Sequence, residues 1–321
     1  GEMPLAAAEI AGSVSELRLM ELAFETDAVL DGNYLRIANA LISAGNTEVI
    51  LSHMDTLSMS QGEVSIGGVA IRNTISPETS MPSATRQYPL RSFDVVWILS
   101  LGNRNSFLDK IQMLHAVADQ TRIINSLTSL MHLKSKYLLS SQPDVFQHPL
   151  TWASANPDLL LDIVRSEGGT FIAKPPALSM GHDVFLITPD DPNTKVILET
   201  LTGRHHDQYC LLQRYVPNIE QGEKRVLLAH GRPVGQYLRL PGPDHRTNIV
   251  QGAHYESCDL TTDERLLCER VGTYLLRQGA EYVGMDLAYP WVIEFNVVNP
   301  GGLLTIEELT GVDLTPNIVR P

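Results

Sequence analysis

The chain has 321 residues and a formal net charge of −13, so it is long enough for more than one packed domain, and its charge argues against a nucleic-acid partner. Hydrophobic residues make up 43% and charged residues 19% of the sequence, as in ordinary globular proteins. No apolar run reaches the roughly 18 residues that a membrane-spanning helix needs, so we expect no membrane partner. Three cysteines without CxxC spacing and a start that lacks a secretory pattern predict a reducing, cytoplasmic setting without disulfides or structural zinc.

The first part of the chain predicts alternating strands and helices. Residues 32–44 have helical spacing of apolar side chains, and residues 48–51 and 93–99 read as buried strands. Residues 60–90 are rich in Ser, Pro, Thr and Gly, which predicts irregular hairpins or a loop. We therefore predict a doubly wound α/β domain over residues 1–125. It carries neither GxGxxG nor GxxxxGK[ST], the common phosphate-binding patterns.

The middle of the chain predicts a second unit over residues 126–210. Residues 127–139 predict a helix that carries Lys136. A strand over 170–174 ends at two prolines, which cannot continue a sheet ladder, and a second strand follows over 184–187.

The last part of the chain predicts a third unit over residues 211–321. We expect it to open with a strand over 210–216. Residues 223–228 and 233–239 are candidates for an antiparallel pair, and residues 261–278 predict a helix with a threonine at its N-cap.

Three oxygen-bearing side chains stand close together near the C-terminus. Apolar residues on both sides of Tyr289-Pro290 predict a hairpin. Glu294 and Asn296 are two residues apart and share a strand face, and Asp286 joins them if the turn covers 289–291, which sets Asp286 opposite Glu294. Two carboxylates and an amide suit Mg²⁺. The alternative is a hairpin whose polar face is simply solvated.

A basic island interrupts the acidic chain. Six basic residues and three acidic ones lie between Gln213 and Arg246. A small polyanion such as a nucleoside triphosphate would explain them, and surface arginines scattered along strands are the alternative. The histidines have no metal-binding spacing. Of these residues His182 alone stands in the small-residue loop after the strand over 170–174, and a solvent-exposed loop histidine is the alternative to a binding role there.

Several short motifs are weak one by one but specific in their order. In chain order they are Ile124-Asn125, Ser135-Lys136, Lys174-Pro175, Gln213…Tyr215-Val216-Pro217, Gly222-Glu223-Lys224-Arg225, Arg246…Asn248, Gly252, Gly284-Met285-Asp286 and Glu294-Phe295-Asn296-Val297…Pro300. With this order, which covers about residues 120 to 316, the chain resembles the ATP-grasp superfamily and, within it, prokaryotic glutathione synthetase.

The resemblance implies a fold and a set of ATP ligands. It implies an α/β and α+β architecture in which two α+β units clamp ATP behind the N-terminal doubly wound domain. Two lysines would reach the phosphates, four consecutive residues would line the adenine pocket and a small-residue lid would close over them. These residues are Lys136 and Lys174, then Gln213, Arg214, Tyr215 and Val216, then Gly181 and His182.

The resemblance also implies metal ligands, catalytic groups and an assembly state. Asp286, Glu294 and Asn296 would hold two Mg²⁺ ions, for which Mn²⁺ would substitute. The groups that face the γ-phosphate and the acyl-phosphate oxygens would be Arg225, Arg246 and Asn248. Relatives form dimers or tetramers, so we expect a homo-oligomer.

The implied chemistry is amide formation by an ADP-forming carbon–nitrogen ligase. ATP would convert a carboxylate into an acyl phosphate, and an amine would then attack the carbonyl carbon. The expected partners are a small carboxylate and a small amine. An ATP-grasp kinase would use the same lysines, metal ions and arginines without an amine site, and a non-catalytic nucleotide-binding protein is the remaining alternative.

Two departures from the family bear on the substrate. Met180-Gly181 is followed by His182-Asp183 where the family has Met-Gly-Gly. After residue 99 the chain reads Ser100-Leu101-Gly102-Asn103-Arg104-Asn105 where the family has Arg-Lys-Asp-Pro-Pro. The sequence therefore predicts a ligase that resembles glutathione synthetase and whose substrates include other amino acids or small peptides.

Overall fold

The computed structural model describes residues 5–7, 32–44, 48–76, 86–176, 183–242 and 254–319. Within these ranges the strands form three sheets. The strands are β1 (Leu5–Ala7), β2 (Glu48–Ser52), β3 (Ser58–Ser60), β4 (Glu63–Ile71), β5 (Arg86–Pro89), β6 (Val95–Trp97), β7 (Arg122–Ile124), β8 (Thr151–Ser154), β9 (Phe171–Lys174), β10 (Phe185–Ile187), β11 (Cys210–Arg214), β12 (Glu223–Ala229), β13 (Arg232–Leu240), β14 (His254–Glu256), β15 (Tyr282–Ala288) and β16 (Trp291–Asn296).

The helices of the same ranges lie between these strands and after the last one. They are α1 (Gly32–Ser43), α2 (Phe107–His115), α3 (Leu127–His132), α4 (Lys136–Leu139), α5 (Pro157–Glu167), α6 (Thr194–Thr202), α7 (Thr262–Arg277), α8 (Leu303–Thr310) and α9 (Thr315–Val319). In the part of the chain that the structure describes, no helix is both long and apolar enough to cross a bilayer.

The first sheet is the predicted α/β sheet with an antiparallel extension. Its order is β3-β4-β2-β1-β6-β7, and β5 pairs with β4. The pairs β2–β1, β1–β6 and β6–β7 are parallel, whereas β3, β4 and β5 join by antiparallel pairing. The parallel part carries α1 and α2 on its connections, as the alternation of elements predicts.

The segment predicted as irregular hairpins or a loop, residues 60–90, contains hairpin pairing of β4 with β3 and antiparallel pairing of β4 with β5, but β4 itself is long and regular. This strand runs for nine residues through Gly67 and Gly68. A Cβ built on Gly68 would lie 2.5 Å from a methyl of Ile50 and 3.0 Å from the carbonyl oxygen of Leu51. Glycine is therefore required there because β2 approaches β4 closely, and it does not mark a turn.

The predicted helix over residues 127–139 is two short helices. Ser126 caps α3 by accepting a hydrogen bond from the backbone N–H of Ser129, at 3.1 Å. Ser135 caps α4 by accepting one from Tyr137 N, also at 3.1 Å. A second cap inside the apolar pattern starts a new helix, and Lys136 thereby becomes the first residue of α4.

The second sheet has the order β10-β9-β11-β8, with antiparallel neighbours throughout. Strand β11 pairs with β8 and β9. Its pairing with β9 sets Leu211 opposite Lys174. The first four residues of the strand are buried, as expected of a central strand whose two faces are covered.

The third sheet has the order β14-β13-β12-β15-β16 and is also antiparallel. The predicted pairing of residues 223–228 with 233–239 is confirmed. Helix α7 begins as predicted at a threonine: Thr261 and Glu264 form a reciprocal capping box.

The hydrophobic side chains of the described residues divide unevenly among the sheets. One cluster contains Ile50 and Val96 of the first sheet together with Val226 and Phe295 of the third. The second sheet packs with α5 and α6 around a cluster of its own, which includes Phe171. The first and third sheets therefore share a core that the second sheet does not enter.

Asn125 links the end of the first sheet to the third. It is 1% exposed. Its Nδ2 donates to the carbonyl oxygens of Tyr282 and Val297, each at 2.8 Å. Its Oδ1 accepts from the backbone N–H groups of Glu281 at 2.7 Å and Tyr282 at 3.1 Å. A single amide thus satisfies four backbone groups where the two sheets meet.

We expect Asn125→Leu to lower the free energy of unfolding by at least about 3 kcal/mol, because it leaves four buried backbone groups without partners. Urea denaturation measures this change. The control is Asn105→Ala at an exposed asparagine, for which we expect a change within about 0.5 kcal/mol. Equal stability of the two variants would contradict the assigned role of Asn125.

Candidate functional site

The hairpin of β15 and β16 brings the three predicted metal ligands to one face. Asp286 pairs with Glu294 across the two strands, and Gly284 pairs with Asn296. The predicted pairing of Asp286 with Glu294 is confirmed, but the turn is shorter than predicted. Ala288 already pairs with Trp291, and a register shift after Asp286 supplies the extra residue. A β-bulge, and not a three-residue turn, therefore sets Asp286 opposite Glu294.

Asp286 is a buried carboxylate held by two arginines. It is 3% exposed and lies directly opposite Arg225 on the neighbouring strand β12. Its Oδ1 is 2.6 Å from Nε of Arg225, and its Oδ2 is 3.3 Å from Nη2 of both Arg225 and Arg239. Burial would raise the pKa of Asp286, but the two guanidinium charges outweigh burial and hold that pKa below its ordinary value.

The arginines have further partners. Nη1 of Arg225 donates to the carbonyl oxygen of Gly301 at 3.0 Å, so three of its five N–H groups have partners among the described residues. Arg239 also pairs with Glu223, at 3.3 Å. This network runs across β13, β12 and β15, and it turns the guanidinium of Arg225 toward Asp286.

Two lysines lie beside Glu294. Nζ of Lys136 donates to the carbonyl oxygen of Ile293 at 3.0 Å and lies 3.7 Å from Oε1 of Glu294. Lys174 ends β9 in the second sheet. Burial, and then the positive charge of Lys136, lower the pKa of Lys174 to about 8, while Glu294 and Glu223 oppose that shift. Lys136 therefore contacts the acidic end of β16, and Lys174 interacts with Glu294 through its charge.

Gln213 contacts His148, a histidine that the sequence analysis did not select. Gln213 is buried, and its Nε2 lies 3.0 Å from Nε2 of His148 and 3.0 Å from Oγ1 of Thr151. Nδ1 of His148 is 2.7 Å from the carbonyl oxygen of Val292 on β16. No motif or metal spacing marks His148, because its partners are 65 and 144 residues away.

The three residues after Gln213 are turned in other directions. The guanidinium of Arg214 lies 4.3 Å from the centre of the Phe171 ring and donates to the carbonyl oxygen of Gly168. Tyr215 uses its backbone N–H on Thr170 and its hydroxyl on Glu220. Val216 is buried. The backbone N–H groups of Arg214 and Tyr215 already have partners, so any adenine contact by these three residues would use the backbone N–H of Val216, their remaining carbonyl groups or apolar surface.

The remaining predicted site residues, Gly181, His182, Arg246 and Asn248, lie outside the described residues.

The residues on the face of β15 and β16 fit a magnesium ion by donor type. Carboxylate and amide oxygens are the ligands that Mg²⁺ prefers, and Glu294 and Asn296 are half-buried on one face. Nδ2 of Asn296 is buried and has no hydrogen-bond partner among the described residues. Asp286 would share its oxygens with two arginines. In the described ranges no three His, Cys, Asp or Glu side chains form a metal cluster, so a site here depends on the amide.

Comparisons with known proteins agree with this geometry. Residues 136–311, more than half of the chain, match the family model of the prokaryotic glutathione synthetase ATP-grasp domain. The chain belongs to the prokaryotic glutathione synthetase ATP-grasp family. Members of this family use ATP and Mg²⁺.

Two glutathione synthetases illustrate the similarity within the family. The chain is 31% identical to that of Gloeobacter violaceus over 240 residues, which cover 72% of this chain and 73% of that protein. It is 31% identical to that of Coxiella burnetii over 199 residues. The second match covers 61% of each chain, which is less than two thirds of the Coxiella protein.

Solved structures show the same fold at low sequence identity. The ATP-grasp ligase PsnB, complexed with a minimal precursor, superposes with a TM-score of 0.62 at 14% identity and covers 99% of this chain and 98% of its own. The D-cycloserine synthetase DcsG has a TM-score of 0.62 at 15% identity and covers 98% of both chains. The predicted ATP-grasp fold of α/β and α+β units is confirmed.

We expect Arg225→Met to lower the free energy of unfolding by about 3–5 kcal/mol, because it strips a buried carboxylate of its closest partner. The double variant Arg225→Met/Asp286→Asn should be less destabilised than the sum of the two single variants. Urea denaturation of all four proteins gives the coupling. Arg232→Met changes an exposed arginine of the same sheet and should cost at most about 0.5 kcal/mol. Additive losses in the cycle would show that Arg225 and Asp286 act independently.

Proposed function

We propose that this chain is an ATP-dependent, ADP-forming ligase that joins a carboxylate to an amine through an acyl phosphate. The observation that carries the proposal is the group that Lys136, Glu294 and Asn296 form at β16, with Lys174 close enough to interact with Lys136 and Glu294 through its charge. Those residues come from three separate elements, and two lysines beside a carboxylate and an amide fit the binding of a polyanion and its counter-ion. Membership of the ATP-grasp family supports ATP as that polyanion.

The lysines would bind the phosphates of ATP. An ammonium group is a compact point charge that suits phosphate oxygens. Lys136 is 9% exposed, and its hydrogen bond to Ile293 fixes it against β16. Lys174 approaches from the second sheet, so ATP between them would be gripped from two units. Two like charges held together in a half-buried site favour an anion between them.

Glu294 and Asn296 would hold magnesium, with Asp286 as a further oxygen donor that Arg225 and Arg239 restrain. Magnesium held by these residues would supply positive charge beside the transferring phosphoryl group. We propose the predicted set of ligands and the count of two ions on donor type and on the family resemblance.

The reaction balances in two steps. A carboxylate oxygen attacks the γ-phosphorus, the bond from that phosphorus to the bridging oxygen breaks, and ADP leaves. The amine nitrogen then attacks the acyl carbon, phosphate leaves, and the nitrogen loses a proton to give the amide. Both steps place negative charge on oxygens, so fixed cations can stabilise them without a nucleophilic side chain. Two N–H groups of Arg225 have no partner among the described residues and would serve this role, and the predicted Arg246 and Asn248 would add donors.

The substrate class is wider than glutathione precursors in this proposal. The loop after β6, where the chain departs from the family, is held in place by Lys110 of α2. Nζ of Lys110 donates to the carbonyl oxygens of Leu101 and Asn103 at 2.9 Å, and it forms an ion pair with Asp55. This loop borders a cavity of about 360 Å³. A differently built loop beside a cavity supports amino acids or small peptides as substrates. The neighbours PsnB, complexed with a minimal precursor, and MdnC, bound with a precursor peptide, put peptides on the test panel.

The cytoplasmic setting, the homo-oligomer and the domain boundaries at residues 125 and 210 stay predictions. Size-exclusion chromatography with light scattering tests the dimer or tetramer.

The function is tested by incubating the protein with ATP, Mg²⁺ and panels of amino acids, dipeptides and short peptides, while ADP and new amide masses are read together. We expect both products from the wild type and a loss of at least about 100-fold in Glu294→Gln, because the variant removes a charge that the metal needs. Glu308→Gln, on the exposed surface of α8, is the matched control and should keep full activity.

Other products would assign other functions. AMP in place of ADP would rule out the acyl phosphate. ADP with a phosphorylated acceptor and no amide would make the protein a kinase. Mg²⁺-dependent ATP binding without turnover on any panel would leave a nucleotide-binding protein.

The lowered pKa of Lys174 predicts a pH dependence for ATP binding. A lysine is charged below its pKa and neutral above it, so affinity should fall as pH rises from about 8. Bound phosphate favours the charged form and shifts the midpoint upward. We expect Lys174→Arg to bind ATP equally well from pH 7 to 9.5, because arginine stays charged. Calorimetric titration measures both curves.

Lys195→Arg is the matched control, because this exposed lysine on α6 lies in the same unit. It should follow the wild-type curve. A flat wild-type curve over the same range would show that the charge of Lys174 is not used for ATP.

A further inference from the structure

Gln213 has a fixed orientation because both of its amide N–H groups are already committed. The hydroxyl of Thr151 donates to the carbonyl oxygen of Pro149 at 2.8 Å, so its oxygen is the acceptor for Nε2 of Gln213. The second neighbour of Nε2 is Nε2 of His148. This nitrogen must also be an acceptor if Gln213 presents its amino group to both partners.

The surroundings of His148 make that nitrogen an acceptor. The carbonyl oxygen of Val292 can only accept, so Nδ1 of His148 carries a proton and donates to it. Burial and the charges of Lys136 and Lys174 lower the pKa of His148 to about 4, although the bond to Val292 and the charge of Glu294 oppose this. The imidazole is therefore neutral at pH 7, and with Nδ1 protonated its Nε2 carries a lone pair.

The carbonyl end of Gln213 is what this arrangement leaves available. Among the described residues no hydrogen-bond donor meets its Oε1, whereas its Nε2 has two acceptors. The electrostatic partners of His148 are Lys136, Lys174 and Glu294, the same residues that the proposed function assigns to ATP. Oε1 of Gln213 is thus an oriented acceptor at the edge of the proposed nucleotide site.

We propose that His148 is a positioning residue for base selection: together with Thr151 it holds the Gln213 amide so that Oε1 accepts a hydrogen bond from the 6-amino group of a purine. This inference rests on the proposed function, because it requires a nucleotide at this site. A 6-oxo purine would set oxygen against oxygen there, so adenine is selected over hypoxanthine and guanine. If the amide were free to rotate, its amino group would serve 6-oxo purines and the selection would weaken.

The test compares the dissociation constants of Mg·ATP and Mg·ITP, because inosine carries an oxygen where adenosine carries the amino group. Calorimetric titration is done without carboxylate or amine, so no amide forms. The wild type should bind ATP at least about tenfold more tightly than ITP, the effect of roughly one hydrogen bond. His148→Leu and Thr151→Val should each reduce that ratio severalfold.

Two variants separate positioning from general support of the site. His148→Gln places an amide oxygen near the position of Nε2 and should keep most of the selectivity. His132→Leu removes an exposed histidine at the end of α3 and should match the wild type. A purely structural role of His148 would weaken ATP and ITP equally and leave their ratio unchanged.

Each outcome decides the inference. An unchanged ratio in a folded His148→Leu variant overturns it. If that variant does not fold, an unchanged ratio in Thr151→Val overturns it instead. Equal binding of ATP and ITP by the wild type overturns base selection but leaves the proposed function standing. Wild-type protein that binds neither nucleotide removes the proposed function and this inference with it.

Discussion

The buried carboxylate of Asp286 is the constraint on which the third sheet depends. A carboxylate that has lost its water is stable only with close positive partners, and here Arg225 and Arg239 supply them from the two preceding strands of the sheet. Their geometry ties β13, β12 and β15 into one register. Because Glu294 stands opposite Asp286, that register also places the acidic face of β16. The site is therefore positioned by charge balance as much as by the hydrophobic core beneath it.

Strand β16 is an edge strand, and its free carbonyl groups explain how the rest of the site is assembled. Edge strands leave one row of backbone groups without a sheet partner. Here the carbonyl oxygen of Val292 receives His148, and that of Ile293 receives Lys136. The groups that cover the edge are thus the groups that line the candidate nucleotide site. The hydrogen bonds of His148 and Lys136 to β16 thus both cover the edge of the sheet and position these two side chains at the candidate site.

Local sequence patterns were enough to predict much of this architecture, but the features that depend on contacts between distant residues could not be predicted from them. The pairing of Asp286 with Glu294 followed from residue spacing around Tyr289-Pro290, because strand geometry is periodic. The nine-residue strand β4 was not predictable from its glycines, since only the approach of β2 shows why they are needed. The pairing of Arg225 with Asp286 spans 61 residues, and the contact of His148 with Val292 spans 144. No spacing within a motif encodes partners at such distances.

The separate hydrophobic cluster of the second sheet has a mechanical consequence. Around the site, this sheet meets the third one through polar bonds such as that of His148 with Val292, which water can replace at little net cost. The cluster around Phe171 stays intact when those bonds part, and so does the core that the other two sheets share. The second sheet and the core that the first and third sheets share are therefore separate packing units, and a movement between them at the site would break hydrogen bonds while both hydrophobic clusters stay intact.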